Sequence, residues 1–167
     1  MPHPHTAEDE DVEIIIATPD VWQAAREIRL ESLLRDPQAF GSTYAEAVDR
    51  TEARWRAWLS RPGLTMLIAR TSRGPVGIVG GVRGVDADDD SVAMIVSMYV
   101  TASYRQRGVG RRLLQAILAD LECDPTLTRV ILHVSRSQLP AQRLYTSLGF
   151  VPVGEEEDEI VMERPLR

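Results

Sequence analysis

The chain has 167 residues, of which 44% are hydrophobic and 26% are charged, and its net charge is −6. That length suits one domain, and the acidic balance argues against bulk attraction to nucleic acid. No apolar run approaches the roughly 18 residues of a membrane span. The one cysteine, Cys123, cannot form an internal disulfide, which favours a reducing compartment. We therefore expect a cytoplasmic protein with neither a nucleic-acid nor a membrane partner.

The N-terminal part divides into a tail and the start of a domain. Residues 1–11 are polar and acidic and carry no apolar signal core, so they predict a disordered tail before a single domain over residues 12–167. Residues 12–17 are apolar and β-branched and predict a first strand. Residues 18–20, Thr-Pro-Asp, have the composition of a helix start, and the helix should end before Pro37.

The next segment alternates between helix and strand signals. Residues 37–44 contain Gly, Ser and two aromatics and predict a connecting loop. Residues 51–59 predict a short second helix, stopped by Pro and Gly. Residues 64–70 and 76–82 predict the second and third strands. Because short turns join these early strands, we expect them to pair antiparallel.

The most informative stretch follows the predicted fourth strand, residues 92–100. Glycine-containing residues 105–110, RQRGVG, come next, and apolar residues then recur at helical spacing over residues 111–123. The first carboxylate after Val100 is Asp120. A helix N-terminus offers unpaired N–H groups and a partial positive charge, and glycine permits close approach. The turn therefore predicts a phosphate or pyrophosphate site.

The C-terminal part predicts a fifth strand over residues 129–134 and a short helix over residues 140–148. Final strands are predicted over residues 150–153 and 160–162. A long helix joins the fourth and fifth strands, as a parallel crossover requires. These elements predict a mixed α/β sheet.

Two motifs identify a family resemblance. The turn lacks the Gly-Lys-Ser/Thr of a P-loop, and Leu113 stands where the third glycine of a dinucleotide fingerprint belongs. Residues 105–110 match the R/Q-x-x-G-x-G/A signature of the GNAT superfamily of N-acetyltransferases. Residues 132–150 resemble that family's closing segment, N-x-x-A-x-x-L-Y-x-x-x-G-F. Gln138 stands where Asn is usual, and the matching positions are Ala141, Leu144, Tyr145, Gly149 and Phe150.

The resemblance implies a fold and a co-substrate. The GNAT fold has a mixed, mostly antiparallel sheet of about six to seven strands, flanked by about four helices and splayed between strands 4 and 5. It implies that acetyl-CoA binds with its pantetheine arm along the backbone of Met98, Tyr99 and Val100. Gln138 would hydrogen-bond a pantetheine amide, with the contact displaced or lost because its side chain is longer. The pyrophosphate would bind at Arg105, Gln106, Arg107, Gly108, Val109, Gly110 and Arg111.

The same resemblance implies catalytic roles. Tyr145 would be the general acid for the leaving thiolate, since a phenol with a pKa of about 10 is protonated at neutral pH. Glu46 is our first choice for the general base, although a solvated surface acid is the more ordinary role for it. Other acids near the acceptor loop, a histidine in the fifth strand and deprotonation in solution stay open; the residues are Glu31, Asp49 and His133.

The predicted acceptor side carries four aromatics. Phe40 and Tyr44 would contact the acceptor, whereas Trp55 and Trp58 are better explained as core residues. The sequence has no clustered Cys/His set and no zinc-ligand spacing, so we expect no metal.

The predicted function is an acetyl-CoA-dependent N-acetyltransferase acting on a primary amine by direct transfer. The acceptor could be a small molecule or a peptide. A non-catalytic acyl-CoA sensor and an acetyltransferase for protein lysines or N-termini are the alternatives, an acyl group longer than acetyl stays open, and homodimers are common in this family.

Overall fold

A computed structural model describes residues 11–36 and 42–167. Within this part of the chain, seven strands and five α-helices form. The strands are β1 (Glu13–Ile16), β2 (Leu64–Thr71), β3 (Gly74–Arg83), β4 (Val92–Val100), β5 (Arg129–Ser135), β6 (Val151–Glu156) and β7 (Glu159–Pro165). The helices are α1 (Trp22–Arg35), α2 (Tyr44–Val48), α3 (Glu52–Leu59), α4 (Val109–Glu122) and α5 (Leu139–Ser147).

The strands form one sheet in the order β1-β2-β3-β4-β5-β7-β6. All neighbouring strands pair antiparallel except β4 and β5, which pair parallel. Their ladder has three residue pairs and stops at Met94–Ile131, although β4 continues to Val100. This confirms the predicted mixed sheet, with its splay between the fourth and fifth strands.

Helices cover both faces of the sheet. On one face α4 presents the apolar stripe seen in its sequence, and Leu113, Ile117 and Leu121 are fully buried. Gly77 of β3 lets this helix approach, since a Cβ added there would lie 2.8 Å from a methyl carbon of Leu113. On the other face α1 and α3 pack against β2, β3 and β4. Both layers therefore meet at β4, which positions the site described below.

The structure corrects some predicted boundaries. A 3-10 turn, Pro19–Val21, precedes α1, and Thr18 makes no side-chain cap. Helix α4 begins at Val109 rather than Arg111. Helix α2 was not predicted from the sequence. Tyr44, which was expected in a loop, is the first residue of this helix.

Two predicted regions fall outside the described residues. These are residues 37–41 of the predicted loop, including Phe40, and all but Asp11 of the predicted tail. The longest described helices, α1 and α4, have 14 residues each. None of the helices described is long and apolar enough to cross a membrane.

Candidate functional site

A β-bulge interrupts β4 just beyond its ladder with β5. Val96 pairs with Gly80 and Tyr99 pairs with Ile78, so two residues of β4 face one residue of β3. Ser97 lies in this bulge with a φ of 57°, a left-handed conformation. Bulges bend a strand and re-aim its polar groups. The bulge therefore turns the backbone of β4 at the point where β5 no longer pairs with it.

The glycine turn after β4 has the features of an anion site. Gly108 is the N-cap of α4 with a φ of 81°, and Gln106 also has a positive φ, 61°. No side chain caps the helix, and its first turn has no acidic residue. A Cβ added at Gly108 would meet no heavy atom within 4 Å. A helix start with neither a capping side chain nor an acidic residue leaves the amide N–H groups of its first turn available to a phosphate or pyrophosphate group.

Arg105 binds the end of β4. Its Nε donates a 2.9 Å hydrogen bond to the carbonyl oxygen of Val100, and its guanidinium lies 5.6 Å from the ring centre of Tyr99. The Val100 carbonyl, which the resemblance assigned to pantetheine, therefore already has a partner within the protein.

Two further arginines of the turn contact neighbouring side chains. Arg107 lies over the ring of Tyr104 at 5.2 Å. Arg111 donates a 2.8 Å hydrogen bond from Nη2 to Oγ of Ser147. Arg111 thereby ties the first turn of α4 to the last residue of α5.

The carboxylate of Glu31 joins α1 to the end of β4. Thr101 donates a hydrogen bond to Glu31 Oε2 at 2.7 Å. Burial raises the pKa of Tyr99 to about 12, and its hydrogen bond to Glu31 adds to the rise. In the sequence, Glu31 was only one of four candidate bases, and no pattern indicated this anchoring role.

Tyr145, the predicted general acid, is buried on α5. Its ring packs edge-on against Phe150 with the ring centres 5.9 Å apart, and burial raises its pKa to about 12.

The residue before Tyr145, Leu144, helps to bring three elements together at Gly110. A Cβ added at Gly110 would lie 3.2 Å from Met98 of β4 and 3.4 Å from Leu144 of α5. Glycine at this position therefore allows α4, β4 and α5 to meet.

Gln138 occupies the N-cap position of α5 without a side-chain capping bond, and its side chain contacts the residue after α1. Its Nε2 donates a 2.9 Å hydrogen bond to Oδ2 of Asp36, the residue that follows α1. The side-chain amide nitrogen of Gln138 therefore already has a partner within the protein.

The predicted acceptor residues lie at or near α2. Glu46 is exposed, and its Oε2 accepts a 3.3 Å hydrogen bond from the backbone N–H of Thr43. Thr43 Oγ1 in turn accepts from the Glu46 N–H, which makes a capping box. Tyr44 is exposed, and Phe40 lies outside the described residues. Glu46 thus has a local structural role, visible in the sequence as Thr-x-x-Glu.

His133, the alternative base, faces the hairpin between β6 and β7. Its Nδ1 lies 3.3 Å from Glu159 and 3.6 Å from Glu156. Two carboxylates of the hairpin are therefore the neighbours of this ring nitrogen.

A cavity of about 720 Å³ lies beside α1 and α3. Arg29 lines it, is buried within α1, and donates a 3.1 Å hydrogen bond to Ser97 Oγ in the β4 bulge. Trp58 also lines this cavity, whereas Trp55 is fully buried, as predicted. Arg29 was not predicted from the sequence, although a charged residue between apolar Ile28 and Leu30 was a visible signal.

Comparisons with known proteins find acetyltransferases among the relatives of this chain. The chain is 33% identical over 79 residues to the N-alpha-acetyltransferase of Saccharolobus solfataricus. The aligned stretch covers 43% of this chain and 47% of that protein. It spans less than half the length of the curated relatives it matches.

Solved structures share its fold at low identity. The paia N-acetyltransferase of Thermoplasma acidophilum in complex with coenzyme A is 16% identical, with a TM-score of 0.74 over 93% of this chain and 99% of that one. The yncA protein of Salmonella typhimurium with its cofactor acetyl-CoA is 19% identical, with a TM-score of 0.76 over 93% and 94%. The profile of the acetyltransferase (GNAT) family matches residues 22–150. The chain therefore belongs to the GNAT acetyltransferase family.

Proposed function

We propose that this chain is an acetyl-CoA-dependent N-acetyltransferase that moves an acetyl group to a primary amine by direct transfer. The observation that carries the proposal is the arrangement at the end of β4. There the ladder to β5 stops at Met94, a bulge follows at Ser97, and an uncapped glycine turn opens at Gly108. Family membership and the co-substrates of two structural relatives support the same activity.

The residues at this turn fit the diphosphate of coenzyme A. We assign it to the backbone N–H groups around Gly108 and Gly110, because no carboxylate or capping side chain competes there. The predicted contacts of Gln106 and Val109 belong to the same turn. Arg105 and Arg107 lie close enough in sequence to add charge-assisted hydrogen bonds.

The pantetheine arm would follow the free side of β4. We assign it to the backbone of Met98 and Tyr99, since the Val100 carbonyl already accepts from Arg105. Gln138 Oε1 would accept a hydrogen bond from a pantetheine amide, while Nε2 holds Asp36. Its extra methylene, compared with the usual Asn, thus serves a contact with α1.

Bound acetyl-CoA supplies an activated thioester. In the proposed step, the neutral amine forms a bond to the acyl carbon while the carbon–sulfur bond breaks. Tyr145 donates its phenolic proton to the departing sulfur and regains a proton from solvent. Its pKa of about 12 keeps it protonated across the physiological range. Backbone N–H groups of β4 would stabilise the charge that develops on the carbonyl oxygen.

The amine must lose a proton before or after attack. We keep Glu46 as the first candidate base; its hydrogen bond from the Thr43 N–H must break or be shared when it takes the proton. Deprotonation of the amine in solution is compatible with the same site.

Two measurements test the proposal. Calorimetry should detect binding of coenzyme A and acetyl-CoA, and free-thiol release should follow when amines are added to protein and acetyl-CoA. No heat with either nucleotide would overturn the whole proposal. Tight binding with no transfer to any amine, unaffected by Tyr145→Phe, would instead identify a non-catalytic acyl-CoA sensor.

A further inference from the structure

Four arginines from separate segments line the cavity of about 720 Å³. Arg29 comes from α1 and Arg54 from α3, while Arg50 precedes α3 and Arg61 follows it. The other residues of the described lining are Ser42, Ala57, Trp58, Ser60 and Pro62, and none is acidic.

Like charges around one cavity repel one another, and a bound anion would offset this repulsion. Arg29 is only 8% exposed, and burial followed by the charge of Arg50 lowers its pKa to about 10. Arg50 stacks over Trp55 at 5.2 Å, which fixes its side chain without neutralising it. In a chain with a net charge of −6, four cations around one cavity do not reflect the average surface. The arrangement is that of a site for an anionic group.

The cavity also adjoins the proposed transfer site. Arg29, which lines it, donates a hydrogen bond to Ser97 in the β4 bulge at 3.1 Å. One side chain therefore borders both the cavity and the strand to which we assign the pantetheine arm. A molecule held in the cavity would have one end beside that strand.

We propose that the acceptor is a small amine that also carries a carboxylate or a phosphate, and that the arginine cavity binds this anionic group. The inference rests on the proposed function and specifies its substrate class. Guanidinium groups pair with carboxylate and phosphate oxygens through two parallel hydrogen bonds, which favours them over neutral polar groups. The cavity volume suits a small molecule.

The first experiment compares amines that differ only in the anionic group. O-phosphoethanolamine is paired with ethanolamine, and 4-aminobutyrate with butylamine, at constant ionic strength. We expect kcat/KM to be at least about 10-fold higher for the anionic member of one pair, mainly through KM. Equal values within both pairs would overturn the proposal. Faster transfer to peptides with acidic N-termini than to any small amine would overturn the small-molecule assignment.

Substitutions then locate the effect. Arg54→Gln and Arg50→Gln should each lower kcat/KM for the anionic amine about 10-fold more than they lower it for the neutral amine. Arg70→Gln makes the same charge change at a half-buried residue outside the cavity lining, paired with Glu13, and should alter neither value. A uniform loss with all three variants would show a general charge effect and overturn the assignment.

A binding measurement separates this inference from the proposed function. O-phosphoethanolamine is titrated into wild type and Arg54→Gln without acetyl-CoA. Binding that the variant loses, in a protein that transfers acetyl to no amine, would retain the cavity assignment while the acetyltransferase proposal fails. Binding of equal strength in both proteins would overturn the cavity assignment even where transfer occurs.

Discussion

Thr101 donates a 2.7 Å hydrogen bond to Glu31, and this contact fixes α1 to the last residues of β4. Tyr99 donates to the same carboxylate. Thr101 stands between the end of β4 and the 3-10 turn Ala102–Tyr104, which leads into the glycine turn. The helix that lines the arginine cavity is thereby linked to the turn assigned to the diphosphate.

Replacing Glu31 tests this link. Glu31→Gln substitutes a neutral amide for a charged acceptor of two hydrogen bonds, so we expect a loss of about 1–2 kcal/mol in the free energy of unfolding. We also expect a higher KM for acetyl-CoA. Urea denaturation and steady-state kinetics measure the two effects. Glu27→Gln, at an exposed position of the same helix, is the matched control, and equal stability losses in the two variants would contradict the anchoring role.

Removing the Tyr145 hydroxyl tests the general acid. Tyr145→Phe keeps the ring that packs on Phe150, so the fold and the KM for acetyl-CoA should persist. Loss of the proton donor should lower kcat about 100-fold. Thiol release under saturating acetyl-CoA measures kcat, and an unchanged thermal midpoint shows that the fold is retained. A kcat within about twofold of wild type would exclude this role.

The same residue predicts a loss of stability at high pH. The folded state holds the Tyr145 proton more tightly, with a pKa of about 12 against 10 in the unfolded chain. As the pH rises from 10 to 12, the unfolded chain releases this proton while the folded chain retains it, which favours unfolding. The contribution of Tyr145 to the free energy of unfolding is fully present below pH 10 and is lost as the pH rises past 12.

Comparison with Tyr145→Phe isolates that contribution, because every other titrating group is common to both proteins. Wild type should lose about 2 kcal/mol more than the variant between pH 10 and 12. Urea denaturation across this range measures the difference. Parallel stability curves would show that Tyr145 titrates alike in the folded and unfolded states.

Alanine substitutions at two glycines distinguish an effect of backbone strain from an effect on coenzyme A binding. Gly108 has a φ of 81° and Gly84 a φ of 69°, and a Cβ added at either would meet nothing within 4 Å. Alanine at each should therefore cost a similar amount of stability, about 1 kcal/mol. Only Gly108→Ala should weaken coenzyme A binding, by about 10-fold or more, because relief of strain there re-aims the amides of α4. Calorimetry that found equal affinities for the two variants would argue against the turn as the diphosphate site.

Local patterns predicted the elements that build the nucleotide end of the site. The bounds of β4 agree with the prediction because a run that is apolar apart from Ser97 lies between polar turns. The start of α4 was placed two residues late, because its N-cap is a left-handed glycine with no capping side chain to mark it. Helix α2 was missed, although Thr43 and Glu46 have the spacing of a capping box.

The acceptor end depends on tertiary contacts that spacing alone does not show. Arg29 and Arg54 are far apart in sequence and converge only because α1 packs against α3. The bond between Gln138 and Asp36 spans 102 positions. The sequence marked Gln138 as a departure from the family pattern, and the structure supplies a physical reason for the longer side chain.

The short β4–β5 ladder also has a mechanical consequence. Three residue pairs join strands β1–β4 to strands β5–β7, whereas the β5–β7 ladder has seven. The β4–β5 pairing is therefore the weakest in the sheet, and the helices packed on its faces must provide much of the contact between the two halves. Native-state hydrogen exchange should show amides of β4 beyond Met94 exchanging faster than those of β5, so that the two halves behave as separate cooperative units.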